Sequence, residues 1–148
     1  MLKGLDPLLS PELLYLLAAM GHGDELAVVD ANFPATSTSR RLVRLPGADL
    51  SRAVGAILTV LPLDGPPAEP VAVMVDPSGS AAPVTEAAVA VAGEAVGCPL
   101  VATPLVPTEF YERARAAFAV VATAEGRAYG CVVLRKGVIL VDEGGLDA

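Results

Sequence analysis

Apolar positions change their spacing from segment to segment along this chain, and the changes mark out elements. Leu13, Leu14, Leu17 and Met20, with Leu16, recur with a 3.6-residue period that predicts a helix. Ser10-Pro11-Glu12 ahead of them is a helix start, with Ser as N-cap, Pro at the first helical position and an acid at the positive end of the dipole. Gly21 stops that helix. Leu26-Ala27-Val28-Val29 reads as a short strand ending in Asp30, Ala31 to Arg40 as a Ser/Thr/Pro-rich loop, and Arg41 to Leu45 as a second strand. A helix capped by Asp49 or Ser51 runs to about Leu61, where Pro62 and Gly65-Pro66-Pro67 break it.

The second half alternates in the same way. Val71 to Val75 is a buried strand by composition, and Asp76 to Ser80 is a turn. A helix is expected from Pro83 to Ala95, a short strand at Leu100 to Thr103, and a helix capped by Thr108 through Phe118. Ala119 to Thr123 and Tyr129 to Leu134 read as two strands around the polar turn Glu125-Gly126-Arg127. This order predicts a single-domain α/β sandwich with a central sheet flanked by helices. The domain is expected over residues 1–141, and residues 142–148, acidic and Gly-rich, as a tail that frays.

Composition narrows the function. Of 148 residues, 53% are hydrophobic and only 18% are charged. That surplus suggests apolar surface buried between subunits, because one small domain cannot bury it all. Ten Lys and Arg against 17 Asp and Glu give a net charge of −7, which argues against a nucleic-acid partner. Asp64, Asp76 and Glu94 interrupt the apolar stretches before any reaches the length of a membrane span. Met1 to Asp6 lacks the apolar core of a signal peptide, and two cysteines, Cys98 and Cys131, make neither a disulfide framework nor a metal pair. A cytoplasmic protein is expected.

Candidate chemistry gathers at Gly21-His22-Gly23-Asp24-Glu25 and at Asp30. His22 is the one histidine, and it lies just past a helix C-terminus whose dipole favours an imidazolium. It reads either as a capping residue or as an acid/base group. A tight turn between helix and strand is expected to bring His22 and Asp30 together, a pair suited to proton transfer near neutral pH. A metal site is not expected from one His and distant cysteines.

Longer blocks carry a resemblance. Met1-Leu2-Lys3-Gly4, Leu8-Leu9-Ser10-Pro11-Glu12-Leu13-Leu14, Met20-Gly21-His22-Gly23-Asp24-Glu25 and Asp30-Ala31-Asn32-Phe33-Pro34-Ala35 resemble the fucose mutarotase/ribose pyranase (RbsD/FucU) family. Phe110-Tyr111-Glu112-Arg113-Ala114, Tyr129-Gly130 and Lys136-Gly137-Val138 fit the same family. The resemblance implies an RbsD-like fold and a cytosolic enzyme that interconverts anomers or ring forms of a free monosaccharide, here L-fucose-like. It implies no cofactor, and a homo-oligomer, often a decameric ring, with sites near subunit contacts.

By the same resemblance His22 and Asp30 are the catalytic residues and Tyr129 contacts the sugar. Cys131, Asn32, Phe33, Arg40 and Tyr111 complete the expected binding wall. Two departures bear on specificity. Cys131 stands where the family has a sugar-contacting Asn, and Thr103 to Thr108 is neutral where relatives place basic groups. A non-catalytic sugar-binding or transport-associated protein of the same fold is the alternative.

Overall fold

The computed structural model describes residues 1–142; of the expected tail, the part beyond Asp142 lies outside the described residues. Five helices and six strands follow one another as α1 (Pro11–Ala19), β1 (Glu25–Val29), α2 (Ala35–Thr38), β2 (Leu42–Leu45), α3 (Leu50–Leu58), β3 (Val71–Met74), α4 (Pro83–Val96), β4 (Thr103–Leu105), α5 (Pro107–Ala116), β5 (Ala119–Thr123) and β6 (Val132–Arg135). The strands form one sheet in the order β2-β5-β1-β6-β3-β4. β6 pairs antiparallel with both β1 and β3, and the other pairings are parallel. The sheet therefore has five strands running one way and a single reversed strand inside it. The carboxyl ends of β1 and β5 and the start of β6 share one edge. The start of β1 and the end of β6 share the other.

Alternation along the strands divides the core in two. Leu26 and Val28 of β1, Val71 and Val73 of β3, and Val121 of β5 face α1, α3 and α4, meeting Leu13, Leu17, Val54, Ile57 and Ala88. Their neighbours Ala27, Val29, Ala72, Met74 and Val120 face the opposite way, onto Phe33, Phe110 and Ala114. Both faces of the central strands are buried, which explains why β1, β3 and β5 read as continuous apolar runs.

Most expected elements occur, with shifted ends. Ser10 caps α1 by accepting the Leu13 N–H at 3.2 Å, and Asp49 caps α3 by accepting that of Arg52 at 2.9 Å. Three expectations are corrected. The loop after Asp30 contains the short helix α2, whose four residues are too few to show a period. β4 begins at Thr103, so the strand placed at Leu100 to Thr103 lies further along, where Thr103 to Leu105 align with Ala72 to Met74 of β3. α5 starts at Pro107 with Val106 as its cap residue, so Thr108 is inside the helix and caps nothing.

Candidate active site

Asp30 follows β1 at the carboxyl edge and is buried, with 9% of its surface exposed. Its Oδ1 accepts the Asn32 N–H at 3.0 Å, and its Oδ2 lies 3.4 Å from the Cys131 Sγ. The Asp30 N–H also points at that sulfur, at 3.5 Å. Beyond Asp30 the chain turns so that Phe33 stacks on Tyr111 of α5, with ring centroids 5.0 Å apart and planes 14° from parallel. Phe33 meets Phe110 edge-on at 5.8 Å, which anchors the stack to the core. Tyr129 and Tyr111, both half-buried, pack against this same cluster. Asn32 is exposed beside Asp30.

The structure thus brings together Asp30, Asn32, Phe33, Tyr111, Tyr129 and Cys131. Tyr129 sits in the turn ahead of β6, not in the strand as expected. Its φ of 60° is left-handed backbone, unusual for a bulky side chain. Cys131, expected on the sugar-binding wall, is 1% exposed and directed at the Asp30 carboxylate.

A second carboxylate holds this turn in place. Glu125, 2% exposed, accepts from the Leu50 N–H at 3.2 Å, from the Arg127 N–H at 3.0 Å and from the Arg127 guanidinium at 2.8 and 3.0 Å. The Arg127 guanidinium is the main cause that holds its carboxyl down at about 2; burial acts the other way, and the Arg127 and Leu50 N–H groups add to the lowering. The Glu125 carbonyl accepts the Ala31 N–H at 2.8 Å, next to Asp30. Gly130 is wedged between them, since a Cβ there would lie 2.7 Å from Glu125 Cγ and 3.6 Å from Asp30 Cβ. In the sequence Glu125 read only as a polar turn residue. Its burial depends on α3, 75 positions away, which no local pattern reveals.

His22 lies at the other edge. β1 separates it from Asp30, and five strand residues span about 17 Å. The expected His22–Asp30 pair is therefore absent within one subunit, because His22 sits in the turn before β1 and Asp30 follows the far end of that strand. His22 Nε2 is instead 3.3 Å from Asp64 Oδ1. Asp64 Oδ2 accepts from Arg135 Nε at 3.0 Å, and Arg135 reaches toward Glu25, which is held by a two-pronged bond from Arg113 at 2.7 and 3.0 Å. Burial pushes the Asp64 carboxyl up, but the Gly65 N–H, Arg135 and His22 together outweigh it and leave it below its ordinary value.

The capping alternative for His22 is also resolved. Lys136 Nζ donates to the carbonyls of Leu17 and Met20 at 2.7 and 2.6 Å, placing a cation at the negative end of α1. The His22 ring is freed from that duty and is more than half exposed. Gly23, with φ of 85°, makes the turn and leaves room for Arg135, whose guanidinium would lie 3.2 Å from a Cβ there. Arg40, expected on the pocket wall, is exposed just ahead of β2. The register Leu42–Val120–Ala27 puts it toward the His22 edge and two strands from β1, away from Asp30. Among the described residues no three His, Cys, Asp or Glu side chains are grouped to hold a metal, and no helix is long and apolar enough to cross a membrane.

Residues 3–139 match the RbsD / FucU transport protein family. The chain is 44% identical to the human fucose mutarotase over 149 residues, covering 95% of this chain and 96% of the relative. It is 41% identical over 140 residues to the L-fucose mutarotase of Haemophilus influenzae, covering 93% and 97%. The fucose mutarotase of Streptococcus pneumoniae, solved in complex with L-fucose, superposes with a TM-score of 0.82 at 33% identity, covering 94% of this chain and 100% of that one. A match over nearly the whole length, in sequence and in three dimensions, means that the chain belongs to the RbsD/FucU family.

Proposed function

We propose that the protein is a monosaccharide mutarotase acting on an L-fucose-like sugar. The observation that carries this reading is the carboxyl-edge cluster: a fixed Asp30 carboxylate flanked by Tyr129 and by the Phe33–Tyr111 stack, in a chain whose full-length relatives are fucose mutarotases. Aromatic faces suit the C–H face of a sugar, and a carboxylate suits its hydroxyls.

Mutarotation needs two proton transfers. A base takes the anomeric O–H proton, the electron pair becomes the carbonyl, and the bond from C1 to the ring oxygen breaks. An acid delivers a proton to that oxygen. Rotation about the bond next to C1 and the reverse transfers close the ring on the other face. His22 fits one transfer, with Asp64 orienting its ring, and Asp30 and Tyr129 hold the sugar hydroxyls.

Since His22 and Asp30 stand at opposite edges of one sheet, a site using both is made by two subunits, the His22 edge of one against the Asp30 edge of the next. Exposed apolar surface supports such an assembly. Tyr15 is 73% exposed, and Ile139 and Leu140 in the run Val138 to Val141 are 76% and 87% exposed. A decameric ring in the cytoplasm is the form we infer, with no cofactor. NMR exchange spectroscopy on L-fucose and other free sugars tests the reading: faster anomer exchange with added protein supports it, and binding without acceleration gives the sugar-binding alternative instead.

A further inference from the structure

Cys131 is the buried nucleophilic group that the mechanism above does not use, and its surroundings give it a task. Both polar contacts of its sulfur go to Asp30, one to the N–H at 3.5 Å and one to Oδ2 at 3.4 Å. Its own N–H donates to the Tyr129 carbonyl at 2.8 Å, and its carbonyl accepts the Met74 N–H at 3.1 Å. The residue thus joins the carboxylate, the sugar-facing tyrosine and the sheet. Ala27, Val29, Met74 and Val133 belong to the apolar cluster that encloses it. Burial, then the Asp30 charge, push the thiol far up from its ordinary value, so it stays protonated and has a hydrogen to donate.

We propose that Cys131 is a positioning residue for Asp30: its S–H bonds Oδ2 while the Asn32 N–H bonds Oδ1, fixing the plane of the carboxylate that meets the sugar. The inference rests on the mutarotase reading for its effect on turnover, but the contact itself does not. It gives this chain a different division of labour from the one expected of an Asn here. The side chain supports the carboxylate from beneath.

Two measurements on the full chain test this. In a Cys98→Ser background, which leaves one thiol, the infrared S–H stretch should lie at the low frequency of a hydrogen-bonded thiol and move up in Asp30→Asn. An unshifted band overturns the proposal. In NMR exchange kinetics Cys131→Ala should lower kcat about fivefold with KM little changed, the size of one lost hydrogen bond. Cys131→Ser, which keeps a donor, should restore most of it. A raised KM with kcat intact would mean that the thiol touches the sugar directly and would overturn the positioning role. If the unmutated chain accelerates no sugar, the mutarotase reading fails, while the band shift still decides the thiol–carboxylate contact.

Discussion

The imidazole of His22 is 3.3 Å from the carboxylate of Asp64, a residue 42 positions later, and this pairing gives the histidine its orientation. Asp64 is itself fixed by Arg135 at 3.0 Å. Asp64→Asn should therefore lower kcat for anomer exchange by about tenfold or more, as expected for a disturbed acid/base group. His22→Ala should be at least as severe. Because the Asp64 carboxyl is lowered in the fold, the pairing persists above the ordinary carboxylate range and is lost as the pH falls below it. NMR exchange rates measured against pH check both. Unchanged kcat in Asp64→Asn would remove the orienting role.

Glu125 predicts an acid-sensitive turn. Its carboxyl goes from an ordinary 4.5 to about 2 in the fold. A lowered carboxyl contributes stability that is complete above about 4.5 and disappears as the pH falls to about 2. Its main partner, Arg127, is 65% exposed, so solvent screens the pair and the contribution is nearer 2 kcal/mol than the full shift implies. Glu125→Gln should lose about that much at pH 7 by urea denaturation, with the difference narrowing toward pH 2.

Gly130 predicts a steric coupling between stability and activity. A methyl at this position would meet Glu125 Cγ at 2.7 Å, the Arg127 carbonyl at 3.2 Å and Asp30 Cβ at 3.6 Å. Gly130→Ala should cost about 1–3 kcal/mol, the usual range for overpacking. It should also lower kcat/KM through Asp30. Equal catalysis in a destabilised variant would separate the turn from the site.

Tyr129 gives the cleaner probe of sugar contact. Tyr129→Phe keeps the ring that packs on the Phe33 and Phe110 cluster and removes only the hydroxyl. The urea midpoint should be unchanged, and kcat/KM should fall about tenfold. A full-rate Phe variant would assign Tyr129 to packing.

Legibility followed sequence distance. α1, α3 and β5 could be read because their signals are local: a Ser or Asp cap, a 3.6-residue stripe, a short apolar run from Ala119 to Ala122. The short motifs around His22 and Asp30 also stood out. Their separation did not, since two residues eight positions apart can be neighbours across a turn or lie at opposite ends of a strand. Asp64 and Glu125 were missed for a related reason. Each is a carboxylate in a turn, and its importance comes from partners 42, 71 and 75 positions away. The duty of Lys136 at the end of α1, 116 and 119 positions distant, was hidden in the same way, and His22 looked like the cap in its place.

The reversed strand β6 has a consequence for how such a protein can change. It starts beside Cys131, next to Asp30, and ends in Arg135, next to Asp64 and His22. Four residues span the sheet from one chemical edge to the other. A single inserted or deleted residue here would turn the side chains on one side of it to the opposite face. It would unseat either Cys131 from Asp30 or Arg135 from Asp64, whichever lies on the shifted side. Variation in this strand is therefore confined to replacing side chains at constant length.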